Sequence, residues 1–275
     1  MLDEIRHFVL AVDAGTVTAA ARAAGLSQPA LTASLQRLEA AMGARLLHRG
    51  RRGTELTAEG EALLPHARAA LAAVEDGRRA VAEITDLARG EVRVGGGATA
   101  CTYLLPAALA RFRQRFPHVR LSLREGLPDR LRAALDAGDL DLVVIAAEDG
   151  EAWLDDELIL IASPDLEAPE AAPLVTLLPG SSTRALVEAH FPGVEIAMEL
   201  GGISAVKGNV RAGIGVALVS RAAVAHDLRS GRLVEVPDPR TPIRRRVGLL
   251  HRGIERLSPA AAALRALLLD PEAGH

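Results

Sequence analysis

Apolar residues recur at helical spacing through roughly the first third of the chain and then give way to short runs at strand spacing. Ile5, Phe8, Val9 and Val12 share one face of a helix from about Leu2 to Ala14. A short helix of small residues follows, Thr18 to Ala24, ending at Gly25, where a left-handed C-cap forms easily. Leu31, Leu35 and Leu38 recur at i, i+4 and i+7 in a third helix, Gln28 to Met42. Ser27 offers a capping hydroxyl before it, and Pro29 lies in its first turn. Two helices joined by Gly25-Leu26-Ser27 have the spacing of a helix-turn-helix. Leu46 and Leu47, the basic cluster His48, Arg49, Arg51 and Arg52, and then Glu55-Leu56-Thr57 predict a two-stranded wing with Gly50 and Gly53 at its tip.

Thr57 can cap a long helix to about Leu87, with Leu63, Leu64, Ala67, Ala70, Leu71, Val74, Val81 and Ile84 along one face. Pro65 falls in its first turns, where proline costs least. So long a stripe exceeds what the small winged domain can cover, so it calls for a partner helix. After Arg89-Gly90 the pattern alternates. Strands are expected at Glu91 to Gly95, Val119 to Leu123, Leu140 to Ala146, Leu174 to Leu178, Val194 to Leu200, Gly215 to Ser220 and Arg244 to Leu250. Helices are expected at Tyr103 to Phe116, Asp129 to Ala137, Ser182 to His190, Ile203 to Ala212 and Ser258 to Leu269. Strands alternating with helices imply βαβ units around a parallel sheet.

Charge sharpens the first third. The chain of 275 residues has a net charge of −3. Between residues 22 and 52, however, Arg22, Arg37, Arg45, Arg49, Arg51 and Arg52 face Glu39 alone, a local charge of +5. A focused patch of this kind suits phosphate contacts with counterion release. Aromatic residues are only 2% of the chain, which argues against a stacking platform for single strands. Cys101 is the sole cysteine, so no intramolecular disulfide forms, and the scattered histidines make a metal site unexpected. No catalytic constellation such as HExxH, a P-loop or GxSxG is present. The N-terminus lacks a secretory signal and no run is long enough to span a membrane, which predicts a cytoplasmic protein without a membrane partner.

The order AVxxxGTVTAAARAAGLSQPALTxSLQRLExxMGxRLLHR followed by Leu56-Thr57-Ala58-Glu59-Gly60 resembles the DNA-binding half of the LysR-type transcriptional regulators. Tyr103-Leu104-Leu105-Pro106 with Phe112 and Phe116-Pro117, Leu140-Asp141-Leu142, Gly180-Ser181-Ser182-Thr183-Arg184, and Val206-Lys207 with Ala212-Gly213-Ile214-Gly215-Val216 are similar to that family's effector-binding half. The resemblance covers essentially the whole chain. It implies an α+β multidomain fold: a winged helix-turn-helix over residues 1–60, a dimerisation linker helix over 57–88 and an effector-binding domain over 89–275. That last domain would have two α/β lobes like a periplasmic binding protein, lobe I about 91–163 and 238–270, lobe II about 164–237. It further implies double-stranded DNA, a small-molecule effector, a homodimer or homotetramer joined through the linker helix, and RNA polymerase as partners, with no cofactor.

On this basis Gln28, Thr32 and Gln36 are base-reading candidates, Pro29 packs near a thymine methyl, Ser27 and Ser34 complete the polar face, and Arg37, Arg49, Arg51 and Arg52 hold phosphates. The family commonly carries arginine where this chain has Ala33. In the effector half, Gly97, Ala98 and Thr99 form the first cleft loop, Ser182 and Thr183 a second set of donors, Ile203 and Ser204 a further helix start, and Ala146 and Ala147 an apolar wall. The family often has serine where Gly97 stands. Capping is the alternative role for the hydroxyls of Ser182, Thr183 and Thr99.

Three further features stay open at this level. Gly95-Gly96-Gly97-Ala98-Thr99-Ala100 fits GxGxxA after a strand, with Glu125 at the distance of a ribose-binding acid. This leaves a nicotinamide-binding, redox-sensing winged-helix repressor as an alternative, and an NAD-dependent oxidoreductase behind it. Cys101 precedes a helix whose dipole would lower its thiol pKa, against the simpler role of a small packed hydrophobe. Lys207, the sole lysine, reads as a solvated charge on a helix flank.

Overall fold

The computed structural model describes residues 1–50, 53–85 and 90–270, with backbone alone for residues 49, 50, 79, 80 and 82–85. Arg51, Arg52, Leu87 and Arg89 lie outside the described residues. Two compact units form, one from residues 1–82 and one from most of the remainder.

The first unit contains α1 (Leu2–Asp13), α2 (Val17–Ala23), α3 (Gln28–Met42), the hairpin β1 (Leu47–Gly50) and β2 (Gly53–Leu56), and the start of α4 (Ala58–Thr85). Phe8, Leu31, Leu35, Leu38, Leu46 and Leu47 form its core with Ala20 and Ala21, whose small side chains let α2 approach closely. Side-chain caps fix the helix starts: Thr16 Oγ1 accepts from the Ala19 N–H at 3.1 Å and Ser27 Oγ from the Ala30 N–H at 3.4 Å. Gly25 closes α2 in the left-handed region at φ 67°.

Two contacts join the recognition helix, the wing and the long helix. Glu39 Oε1 accepts from the Leu46 and Leu47 N–H groups at 3.1 and 3.3 Å, tying the end of α3 to the first wing strand. Thr57 Oγ1 donates to the Arg45 carbonyl at 2.7 Å and accepts from the Gly60 N–H at 3.0 Å, capping α4. At Gly60 a Cβ would lie 2.1 Å from the Leu46 carbonyl oxygen, so only glycine lets α4 leave the wing here. Leu63, Leu64 and Ala67 then pack on this core, whereas Val74 and Val81 farther along are 37% and 63% exposed. Pro65 is not at the helix start but inside α4, where it removes the bond that Glu61 would otherwise accept.

The second unit runs β3 (Glu91–Gly96), a π-helical turn (Ala100–Leu104), α5 (Leu105–Arg115), β4 (Arg120–Glu125), α6 (Pro128–Asp136), β5 (Leu142–Ala146), β6 (Glu151–Ala162), β7 (Leu174–Leu177) and α7 (Ser182–His190). It continues with β8 (Ile196–Leu200), α8 (Ile203–Arg211), β9 (Ala217–Ser220), α9 (Arg221–Arg229), β10 (Val234–Glu235), β11 (Ile243–Leu250) and α10 (Pro259–Leu269). The main sheet has the order β10-β6-β11-β5-β3-β4, with β9 also paired to β6; β7 and β8 pair separately. The expected all-parallel sheet is corrected to a mixed one: β3 is parallel to β4 and β5, but β11 is antiparallel to β5 and β6, and β9 and β10 are antiparallel to β6.

Strand β6, helix α9 and strand β10 were not expected. The charged stretch Asp155-Asp156-Glu157 hides β6 from any apolar pattern. Across the ladder it faces Arg246, Arg245 and Arg244 of β11, so opposite charges pair where apolar side chains usually do. One apolar core gathers Val92, Phe112, Leu142, Leu249 and Leu264, and another gathers Ile159, Val175, Val206, Val219 and Val224.

The Gly60→Ala variant should lose about 1–3 kcal/mol of stability by overpacking. Urea unfolding followed by circular dichroism measures it, and an unchanged midpoint would contradict the close approach of Leu46.

Candidate functional site

At the start of α3, the side chains of Ser27, Gln28 and Pro29 are exposed, as are Gln36 and Arg37 farther along, while Thr32 is half-buried. Thr18 Oγ1 donates to Gln28 Oε1 at 3.4 Å, which leaves the amide nitrogen of Gln28 free to point outward. Arg37 Nε donates to Glu4 Oε1 at 3.1 Å. The amino terminus, backbone hydrogen bonding and Arg37 together hold the Glu4 carboxyl down to about 2, so this arginine is positioned by a carboxylate before any phosphate arrives. Thr18 and Glu4 went unnoticed in the sequence because each acts on a residue from another helix.

Ser34 is a correction. It is 1% exposed and its hydroxyl lies 2.7 Å from His7 Nδ1, within the interface of α1 and α3. Its position between Leu31 and Leu38 puts it on the buried stripe, and His7 satisfies the hydroxyl there. Of the phosphate candidates, Arg49 pairs through its backbone with Thr54 in the wing, and its side chain, like Arg51 and Arg52, lies outside the described residues.

In the second unit a cleft of about 310 Å³ brings together Gly97, Ala98 and Thr99 after β3, Ala146 at the end of β5, and Ser182 and Thr183 at the start of α7. Leu104, Leu127, Val144, Leu177 and Val247 supply apolar walls, and Glu125 adds a carboxylate. Ala147 is not on the wall. Ile203 is corrected to the lobe core at 4% exposure, and Ser204, one residue on, lines a separate cavity. The start of α8 turns away from the cleft because Ile203, Val206 and Val210 must all face that core.

Arg245 is the functional residue that the sequence did not reveal. Its side chain is 9% exposed and lines the cleft, with Nε and Nη2 donating to Asp156 Oδ2 at 2.9 and 2.7 Å. Its Nη1 donates to Ser182 Oγ at 3.3 Å and Thr183 Oγ1 at 3.1 Å. Ser220 Oγ donates to the other Asp156 oxygen at 2.6 Å. Because Ser182 and Thr183 accept from the guanidinium, their O–H bonds remain free to donate to a ligand. Capping of α7 falls instead to Ser181, which accepts from the Arg184 N–H at 3.2 Å. Thr99 makes no side-chain cap, and Ala98, Thr99 and Ala100 of the turn after β3 line the same space.

The glycine motif has a packing origin. A Cβ at Gly95 would lie 2.6 Å from Leu140 and 2.9 Å from Leu131, and one at Gly96 would lie 2.9 Å from Cys101 Sγ. Cys101 itself is pushed up to about 11, by burial first and then by Glu125, which corrects the expected lowering by the helix. Lys207 is not solvated either: it is 14% exposed and its Nζ lies 2.7 Å from Asp227. Among the described residues no group of three or more His, Cys, Asp or Glu side chains could hold a metal ion, and no helix is long and apolar enough to cross a membrane.

A winged helix-turn-helix and a two-lobed cleft in one chain define a DNA-binding regulator that answers to a small molecule. Residues 2–61 match the model of the bacterial regulatory helix-turn-helix protein, lysR family, and residues 85–271 match the LysR substrate binding domain. The chain belongs to the LysR family of transcriptional regulators. It is 33% identical to the HTH-type transcriptional regulator YeiE of Escherichia coli strain K12, over 94% of each chain. It is 33% identical to the SDS degradation transcriptional activation protein of a Pseudomonas species, over 99% of this chain and 96% of that one. Full-length CbnR in complex with its target DNA has the same fold, with a TM-score of 0.64, 23% identity and 98% of each chain covered.

Alkylation of Cys101 should keep accelerating about tenfold per pH unit between about pH 8 and about pH 10, since the thiolate is the reacting form. Mass spectrometry of the modified peptide follows the rate; a plateau near that of an ordinary thiol would show that burial does not control this group.

Proposed function

We propose that the chain binds double-stranded DNA through the N-terminal part of α3 and the wing, as a homodimer or homotetramer joined through α4, and that a small anionic effector with an apolar body sets its output. The observation that carries the effector reading is the pair of hydroxyls, Ser182 and Thr183, turned by Arg245 toward the cavity that the first turn after β3 also faces. The Ser182 and Thr183 hydroxyls, with the helix start after β3 across the cleft, suit one carboxylate or similar head group. The aliphatic walls suit its body, and Glu125 disfavours a second negative charge nearby.

On the DNA, Gln28 and Gln36 with Thr32 would read base edges, with Ser27 and Pro29 beside them, and Arg37, Arg49, Arg51 and Arg52 would grip phosphates. The exposed Ala33 makes no such contact, so the preferred sequence differs from that of relatives with arginine there. Exposed Val74 and Val81 on α4 support a partner helix along the linker, over residues 57–88. The regulatory part, 89–275, would change lobe closure on binding effector and so alter the spacing of the two reading heads. RNA polymerase is the downstream partner of this reading, the cytoplasm its location, and no catalytic step or cofactor belongs to it.

Gln28→Ala should cost about 1–3 kcal/mol on the specific operator and little on random DNA in gel-shift titrations; equal losses on both would remove Gln28 from base reading. For the cleft, monocarboxylates screened by thermal shift against the full chain should raise the melting temperature by mass action. At Gly97 a Cβ meets nothing within 4 Å, so Gly97→Leu should fold, which its circular dichroism checks, and should abolish that shift by filling the cleft. A shift that survives Gly97→Leu would place the ligand elsewhere.

A further inference from the structure

A second cavity, of about 300 Å³, opens between the π-helical turn, α8 and α9, away from the effector cleft. At its base Asp227 has a side chain only 4% exposed, which takes Lys207 Nζ at 2.7 Å, Arg232 Nη2 at 3.1 Å and Arg211 Nη1 at 3.6 Å. Lys207 also donates to the Ala223 carbonyl at 2.7 Å and to Tyr103 Oη at 3.4 Å, and sits 5.0 Å from the Tyr103 ring centre. All three ammonium donors are therefore engaged, and the lysine is a fixed part of the wall. Its charge already offsets that of Asp227. Arg211 and Arg232, 41% and 48% exposed, bring two further positive charges beyond the one that offsets Asp227, and both line the cavity; Arg232 Nε is held by Ser230 Oγ at 3.0 Å.

A buried carboxylate with two close cations is satisfied, and a third partner at 3.6 Å gains little from it. Two guanidinium groups converging on one cavity, with the hydroxyl of Ser204 and the ring of His226 beside them, instead match the several oxygens of a tetrahedral dianion. We infer that this cavity is an anion site for a phosphate-bearing small molecule, its phosphate held by Arg211 and Arg232 and its organic body lying against Ala222, Ala223 and the Tyr103 ring. The site is independent of the effector cleft and does not rest on what fills it. The two nevertheless share one turn of chain: Ala100 and Leu104 line the cleft and Tyr103 lines this cavity. π-Helical turns of this kind are frequent at functional sites.

The test uses the full chain with inorganic phosphate and pyrophosphate as probes, in calorimetric titrations at constant ionic strength. Saturable binding is expected, about tenfold or more weaker in the Arg211→Gln, Arg232→Gln double variant, a difference of about 1.4 kcal/mol or more. Arg211→Gln alone, which removes the least engaged cation, gives the same reading if the double variant loses its helical signal. Because Lys207 is the sole lysine, an amine-reactive label reports on the site directly: phosphate should slow labelling of Lys207 relative to the amino terminus. No binding, or binding that is unchanged in the variants and leaves Lys207 unprotected, overturns the assignment; the latter would place the anion on the DNA-reading arginines.

Discussion

The ion pair between Asp156 of β6 and Arg245 of β11 is the constraint on which the regulatory half depends. Both side chains are almost fully buried, at 3% and 9% exposure, so neither charge can be removed without stranding the other. Breaking such a pair from one side costs on the order of 3–5 kcal/mol, although the intact pair adds little net stability. Its value is directional. The guanidinium reaches from β11 to the hydroxyls of Ser182 and Thr183 at the start of α7, and Ser220 closes the far side of the carboxylate. Exposed pairs such as Arg6 with Asp3 or Arg78 with Glu75 do not position anything comparable, and solvent leaves them worth about 0–1 kcal/mol.

The DNA-binding half is organised by fixed connections of a different kind. Glu39 holds the wing to the end of the recognition helix, and Thr57 with Gly60 holds the long helix to the wing. Every element that would touch DNA is thus referred to the element that would join a second subunit. The small domain adds side-chain-to-backbone hydrogen bonds and one close approach to its apolar core.

Most of the first unit was legible in the sequence because its signals are local: caps, a proline, a glycine and a helical stripe all lie within a few residues of what they determine. The error at Ser34 came from equating a hydroxyl with an outward position, when His7 from another helix satisfies it inside. Legibility fell where the decisive partner is distant. Arg245 acquires its role from Asp156, 89 residues away, and from Thr183, 62 away. β6 reads as charged surface until the three arginines of β11 are set opposite its acids. At Cys101 burial outweighs the helix dipole, which accords with the packed role weighed beside it, and Lys207 could be called solvated only while Asp227 was out of view. Ile203 and Ser204 were assigned to the cleft from their place at a helix start, but the rotation of α8 follows its apolar face.

Strand β6 has one more implication. Leu158 lies opposite Ile243 on one side and Ser220 on the other, so ladders belonging to both lobes meet on a single residue of one unbroken strand. Lobes joined this way do not swing on a loose joint. The lobes share β6, so in the reading proposed above a ligand that drew them together would have to twist that strand. Such a twist would be spread over its twelve residues, so the stiffness of β6 would act beside the fit of the cleft in setting how far the lobes close.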